Sequence, residues 1–391
     1  MSVDQLNIVL VGAAGKVASP AHLNGLEQIS NANIYGVCDV DPDQVSDLAE
    51  KYGAKPITDF DEVLADPNVD AVDLVTPPFL HAEQTIAAAK AGKHVYCEKP
   101  MTRSLGEADA MVAAHKSSGT TLMIGESYVF HHPNVAARSV IDSGDIGDLL
   151  HFRETKGAWV IKPEESQRLS GLSHEANAPW RIDPQLSGGG QFPWIMDHAP
   201  HFFATARYFA GGSRVRGVTA HSKRMTTDSV ATSGTGAPTG QAITSVAWDF
   251  ENGIDATWNQ NESDPNQVEE VGFVTRVYGT RGSLVVYGEG GGAGTGMKQP
   301  PAVLLVKDGR TKVIDEGNFD DRVWVSNNNY YDASHQAALQ HWIDSIQAGL
   351  PVRYSGEDGR DELAATLATL SSAMDSRSVS PADISASWTA Y

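Results

Sequence analysis

The chain is poor in cysteine: only Cys38 and Cys97 occur in 391 residues. That excludes a disulfide framework and a Cys-rich zinc site, and it fits a reducing, cytoplasmic interior. Lysine is also scarce, at 13 against 30 Asp and 19 Glu, and the formal charge is −20. A surface of that sign repels phosphate, so nucleic acid is not expected as a partner. The acidic excess reads either as a salt-adapted source or, more simply, as an ordinary acidic enzyme. No apolar run approaches the roughly 18–20 residues that cross a bilayer. Met1-Ser2-Val3-Asp4-Gln5 lacks the basic-then-apolar order of a signal peptide, so no membrane association is expected.

What is present is a globular composition, 41% hydrophobic and 20% charged, with enough length for two or three domains. Up to about residue 125, short apolar runs alternate with amphipathic stretches. Residues 6–11, 34–38, 71–75, 94–96 and 121–124 read as strands buried on both faces, the pattern a parallel sheet requires. Asp41 and Pro42 start a helix whose stripe Val45, Leu48, Ala49 and Tyr52 ends at Gly53. Ser104 and Glu107 have capping-box spacing ahead of Met111 and Val112. This βαβ alternation predicts a doubly wound Rossmann domain over 1–128. Beyond it, strand-like segments at 243–250, 254–260, 271–278 and 283–287 succeed one another, with helical patterns near 332–348 and 357–376. They predict an α+β domain over 129–391 built on an open-faced, mainly antiparallel sheet. The Gly/Ser/Thr-rich stretches 226–240 and 288–301 read as surface loops or hairpin tips.

The junction Gly12-Ala13-Ala14-Gly15-Lys16-Val17 is an imperfect glycine-rich fingerprint, since Ala14 and Val17 stand where glycines are usual. Small residues there let backbone approach a pyrophosphate at a helix N-terminus; an ordinary tight turn remains the alternative. Asp39 ends the next strand, 24 residues after Gly15, close to the roughly 20-residue interval of a ribose-binding carboxylate. A carboxylate there repels a 2′-phosphate, so NAD is expected, with NADP still possible.

Two further clusters point to chemistry. Glu98-Lys99-Pro100 follows a strand directly, where open α/β sheets place their ligands, and Pro100 permits a cis peptide that aims Lys99. A surface Glu98–Lys99 ion pair is the plainer alternative. Asp197 and His201 lie four apart, on one helix face if helical, and Pro200 predicts that this helix begins just upstream. A carboxylate beside an imidazole is a general-base arrangement, although a buried Asp–His pair has the same spacing. Asp197, His198 and His201 lack a convincing further ligand, and no metal centre is expected.

These residues together resemble the Gfo/Idh/MocA family of glucose–fructose oxidoreductase and inositol dehydrogenase. The likeness runs through Gly12 to Ala18 with His22, Cys38-Asp39, and Thr76-Pro77-Pro78 with His81. It continues in Ala91 to Val95 before Glu98-Lys99-Pro100, in Gly188-Gly189-Gly190, in Asp197 with His201, in Gly279 to Ser283 and in Ser355 to Gly359. Glu-Lys-Pro followed about a hundred residues later by Asp-x-x-x-His is its specific part.

The resemblance implies an NAD(P)-dependent dehydrogenase or reductase acting on a secondary hydroxyl of a sugar, cyclitol or related polyol. Lys99 and His201 would carry the catalysis, with Asp197 holding the substrate and orienting the site. Gly12, Ala14, Gly15, Lys16, Val17, Asp39, Thr76, Pro77, His81, Glu98 and Lys99 would line the cofactor cleft. Trp180 and Arg181, with Lys99, Asp197 and His201, would meet the substrate, and the chain would form a homo-oligomer, a dimer or tetramer. Many relatives carry an Arg where this chain reads Glu126-Ser127-Tyr128-Val129-Phe130-His131-His132-Pro133, which makes His131 and His132 candidates for its place. Relatives that cleave glycosidic bonds by transient oxidation make a redox-assisted glycosidase or lyase the alternative, and a non-catalytic dinucleotide-binding regulator the second.

Overall fold

The computed structural model describes residues 5–15, 18–157, 179–181, 183–224, 242–261, 272–288, 301–317 and 330–391. They form two compact units, Met1–Ser127 with Asp332–Leu363 and Ala386–Trp388, and Tyr128–Tyr331 with Ala364–Ser385 and Thr389–Tyr391.

The first unit is a six-stranded parallel sheet in the order β3-β2-β1-β4-β5-β6. Its strands are β1 (Leu6–Val11), β2 (Ala32–Cys38), β3 (Lys55–Ile57), β4 (Ala71–Leu74), β5 (His94–Glu98) and β6 (Leu122–Gly125). Between them run α1 (Ala18–Glu27), α2 (Pro42–Tyr52), α3 (Phe60–Ala65), α4 (Pro78–Lys90) and α5 (Leu105–Ser118). The strands are apolar because helices cover both faces. Val45 and Ala49 of α2 join Leu10, Ala13, Leu23 and Val37 in one cluster, with Leu48 and Tyr52 packed against it. Asp41 caps α2 by accepting from the Asp43 and Gln44 amides, and Gly53 ends it with φ +64°, a conformation glycine adopts without strain. Ser104 accepts from the Glu107 amide at the start of α5.

The second unit contains α6 (His132–Asp142), β7 (Leu149–Lys156), α7 (Pro193–Phe209) and seven further strands. These are β8 (Val215–Arg224), β9 (Ala242–Phe250), β10 (Asp255–Asn261), β11 (Phe273–Gly279), β12 (Ser283–Tyr287), β13 (Val303–Lys307) and β14 (Arg310–Asp315). They order as β14-β13-β12-β11-β7-β10-β9-β8. Among the described pairings of this sheet, only β10 with β7 is parallel. Burial alternates along β12 and β9, as it must when one face is covered and the other open. The covered face packs on α7: Phe202 stacks on Trp258 with centroids 4.4 Å apart, Phe203 meets Trp248, and Phe209 meets Phe152. On the open face Ile243, Tyr278, Val306 and Val313 are exposed.

Three expectations differ from this structure. The carboxyl-terminal helix α8 (Tyr330–Ala348), expected with the residues after 128, packs from Asp332 onward with the first unit. Its Ala338, Leu339, Trp342 and Ile343 are buried, Trp342 meets Tyr96 edge-on, and Asn31 donates to Asp344 and Gln347. The last long helix, α9 (Gly356–Asp375), passes from one unit's residues to the other's after Leu363. Pro200 sits inside α7, which starts at Pro193 rather than just upstream of Pro200. An interior proline costs about 3 kcal/mol. Full burial of Phe202 and Phe203, each worth about 1.5–3 kcal/mol, outweighs it. The Gly/Ser/Thr-rich stretch 226–240 and residues 289–300 lie outside the described residues.

Candidate active site

All six strands of the first sheet run the same way, so their carboxyl ends share one edge. The register pairs Val11 with Cys38 and Leu74, and Leu74 with Cys97. The next row along that edge is therefore Gly12, Asp39, Val75 and Glu98. Thr76 and Lys99 stand one residue beyond. The strand order reverses between β1 and β4, and open α/β sheets bind their ligands at that switch point.

Gly12 has φ +87°, and a Cβ there would stand 2.9 Å from the Thr76 amide nitrogen. Only glycine allows the β1 turn to lie this close to the end of β4. The Gly12 and Ala13 amides donate to the Cys38 carbonyl, and Gly15 N–H closes the turn on the Gly12 carbonyl at 3.0 Å. Ser19, in the first turn of α1, donates its hydroxyl to the same carbonyl at 2.8 Å. The Asp39 carboxylate reaches the loop and accepts from the Ala14 amide at 2.9 Å. Bare backbone, a following helix N-terminus and a carboxylate at the rim fit a pyrophosphate with its attached ribose. Lys16 and Val17 lie outside the described residues.

Thr76 and Pro77 bridge β4 and α4, Pro77 in the N-cap position and Thr76 donating to Gln84 at 2.6 Å. His81 is fully buried one turn into α4. Its Nε2 stands 2.6 Å from the Thr76 carbonyl and its Nδ1 3.1 Å from that of Pro100. Burial lowers its pKa, against the two carbonyls that favour a proton on the ring, and the ring sits between two strand-end loops, against the main chain of each. The Lys99–Pro100 peptide is cis. Lys99 is half-buried, and its amide donates to Glu98 Oε2 at 3.1 Å. Glu98 itself is buried, with Oε1 3.1 Å from His22 Nε2 and 3.7 Å from His335 Nε2. The nearest nitrogen or oxygen atoms of His22, Glu98 and His335 lie within 4.8 Å of one another.

The second unit carries the remaining candidates. Asp197, His198 and His201 lie on α7, and Trp180 and Arg181 on a short 3-10 turn, Pro179–Arg181. Arg181 Nη1 donates to Asp197 Oδ1 at 2.7 Å, and its guanidinium lies 4.8 Å from the centre of the Trp180 ring. Structure thus joins Trp180, Arg181 and Asp197 in one group. His201, half-buried, stacks on Tyr128 with centroids 4.2 Å apart, and Phe273 stands edge-on to it. His198 Nδ1 accepts from Gln260 Nε2 at 3.1 Å. Of the two histidines at the place of the family's Arg, buried His131 lies beside Tyr128. Exposed His132 pairs with Asp315 at 2.8 Å.

Sequence reasoning missed Tyr128, Gln260 and Lys156. Lys156 is 2% exposed, with its ammonium 5.6 Å from the Phe273 ring centre. A lysine ending an otherwise half-apolar strand was the available signal.

A glycine-turned parallel sheet and a second unit carrying acid and imidazole on one helix put the chain in the class of two-domain dinucleotide oxidoreductases. Comparison with known proteins narrows the class. Residues 6–126 match the profile described as "Oxidoreductase family, NAD-binding Rossmann fold", and residues 134–285 match the GFO/IDH/MocA C-terminal domain. The chain belongs to the GFO/IDH/MocA family, and its first unit carries that family's NAD-binding Rossmann fold.

It is 26% identical over 376 residues to myo-inositol 2-dehydrogenase of Thermotoga maritima, covering 96% of this chain and 98% of that one. With levoglucosan dehydrogenase of Pseudarthrobacter phenanthrenivorans it shares 33% identity over 178 residues, 45% of this chain and 42% of that enzyme. The chain has the fold of an oxidoreductase from Agrobacterium radiobacter solved with NAD+, L-tartaric acid and magnesium. That match has a TM-score of 0.77 and 21% identity, and covers 97% of this chain and 99% of the other. No described helix is long and apolar enough to cross a membrane.

Proposed function

We propose that the protein is an NAD-dependent dehydrogenase that oxidises a secondary hydroxyl of a sugar, cyclitol or related polyol, or reduces the matching ketone. The observation that carries this is Lys99 at the carboxyl end of β5, one residue past the row formed by Gly12 and Asp39 in an NAD-binding unit. Dehydrogenases of inositol and levoglucosan among the relatives support the substrate class.

In this reading the Gly12–Gly15 turn holds the pyrophosphate and Asp39 accepts from the ribose hydroxyls. Bound NAD supplies the hydride acceptor. His201, held flat against Tyr128, takes the hydroxyl proton as general base. The Lys99 ammonium stabilises the negative charge that develops on that oxygen. Asp197, fixed by Arg181, accepts hydrogen bonds from hydroxyls of the substrate, and Trp180 covers the apolar face of the ring. The open sheet face with Ile243, Tyr278, Val306 and Val313 supports a homo-oligomer, and two buried free thiols support a cytoplasmic setting.

The test is a panel of aldoses, inositols and oxidised sugars, followed by nicotinamide absorbance with NAD and NADP. Reduction of NAD by at least one polyol is expected. Release of a free sugar without net reduction would instead identify a redox-assisted lyase, and inertness of the whole panel would refute the reading.

A further inference from the structure

Behind Lys99, inside the first unit, lies a closed set of charged groups that no step above uses. Asp73 interrupts the apolar strand β4 and is fully buried. His22 of α1, also fully buried, places Nδ1 2.8 and 3.0 Å from the two Asp73 oxygens and Nε2 3.1 Å from Glu98 Oε1. His335 of α8, 2% exposed, stands 3.7 Å from the same Glu98 oxygen and 5.0 Å ring to ring from His22. Gly125 of β6 leaves the room: a Cβ there would stand 2.7 Å from Glu98 Oε1. The other Glu98 oxygen holds the Lys99 amide.

Both nitrogens of His22 face carboxylate oxygens, and oxygen of a carboxylate only accepts. Each nitrogen therefore carries a proton, which makes the ring an imidazolium. Two carboxylates and one buried cation leave a single net negative charge, with His335 and Lys99 the next sources of positive charge. The titration directions of His22 and Glu98 agree. Burial alone would lower His22, yet attraction to Asp73 and Glu98 raises it to about 10. Burial would raise Glu98, yet His22, His335 and Lys99 bring it to about 2. At Asp73 burial outweighs the attraction of His22 and pushes the carboxyl up.

We propose that His22 and His335 are positioning residues for Lys99: they hold the Glu98 carboxylate ionised and in place, and Glu98 fixes the Lys99 main chain at the active edge of the sheet. This role deepens the reading of Lys99 given above and rests on it. A main-chain displacement of about 1 Å near the chemistry costs about 10²-fold in rate, which is the size of effect a loosened Glu98 can produce.

The test uses the full chain in two arms. The first needs no substrate. With 15N-labelled histidine, the His22 ring is expected to remain doubly protonated from about pH 5.5 to 8.5, because its folded pKa lies well above the ordinary value of about 6.5. A neutral ring at neutral pH would overturn the proposal. So would a divalent ion that survives purification at about one equivalent and is lost in Glu98→Gln, since a metal would need the His22 lone pair.

The second arm measures turnover of NAD with the polyol the wild type oxidises, in His22→Gln, His335→Gln, Glu98→Gln, the His22→Gln/Glu98→Gln double variant and Lys99→Met. His22→Gln is expected to lower kcat about 10–100-fold and to change KM for NAD less than about threefold. A new acid limb is also expected, as Glu98 begins to titrate. Glu98 is faced by His22 from α1, Asp73 from β4, His335 from α8, His81 from α4, and its neighbours Cys97 and Lys99. With His22 gone, His335 and Lys99 are the cations left among these. The double variant should be no slower than Glu98→Gln alone, because His22 acts only through that carboxylate.

A merely structural His22 would lower the melting temperature while leaving kcat per folded molecule and its pH profile unchanged, which would refute the positioning role. If His22→Gln does not fold, His335→Gln and the first arm decide. Should Lys99→Met itself turn over normally, it is the assignment of Lys99 that fails, whatever the His22 spectra show.

Discussion

Replacing Asp39 by Ala isolates the cofactor side of the proposed site. The carboxylate stands at the end of β2, bonded to the Ala14 amide at 2.9 Å, and is only partly buried. Its removal leaves that amide to water and disturbs no core contact, so folding should survive. Hydrogen bonds to a charged acceptor are worth about 1.5–3 kcal/mol, and the ribose hydroxyls regain water when it is lost. A net loss of about 2 kcal/mol corresponds to about 30-fold weaker NAD binding.

The opposite effect applies to NADP. A unit charge about 5 Å from a phosphate, at an effective dielectric constant between about 20 and 80, opposes it by roughly 1–3 kcal/mol. Asp39→Ala should therefore shift the NAD:NADP preference by about 10²–10³-fold toward NADP. Titration calorimetry of both cofactors at one fixed ionic strength measures this directly. A preference unchanged within about threefold, in a variant with an unaltered melting temperature, would refute the ribose role of Asp39.

Lys99→Met and His201→Ala should each lower kcat by about 10²-fold or more while NAD affinity stays near wild type, read by turnover and by calorimetry. Gly12→Ala should lower NAD affinity and the melting temperature together, because its φ of +87° and the Thr76 amide at 2.9 Å both exclude a Cβ. Trp342→Ala, which empties a fully buried site beside Tyr96, should cost about 3–5 kcal/mol by denaturant unfolding. Burial lowers the His115 pKa to about 4. The unfolded chain, with a pKa near 6.5, binds that proton first as pH falls. Stability should thus decline by up to about 3 kcal/mol between about pH 6.5 and 4, and His115→Gln should flatten that decline in a series of thermal melts.

Local signals carried much of the fold. The α2 stripe, its Asp41 cap and its Gly53 stop lie within thirteen residues, and the structure places each in its expected role. The short edge strand β3 escaped because Lys55–Ile57 is too brief to show a period and contains Pro56. The start of α7 was misread because tertiary burial of Phe202 and Phe203 overrides the local penalty at Pro200. An amphipathic stripe tells that α8 is buried on one side but not against what, so its packing with the first unit could not be read. The same limit governs the site. Gly12, Asp39 and Lys99 sit at motif spacings, and the structure sets them along one edge of the sheet. His22 entered through the family likeness alone; Asp73 and His335 come from two other distant elements, and the local hint to them was a carboxylate within the apolar run of β4.

The central proposal is that Lys99 and His201 serve one developing charge on one substrate oxygen. The most direct measurement is the hydride-transfer rate, in a single turnover, of the wild type, Lys99→Met, His201→Ala and the double variant. Groups acting on the same oxygen should be strongly non-additive, so that the double variant is scarcely slower than the slower single one. Losses that multiply independently, or near-normal rates in both single variants, would contradict it.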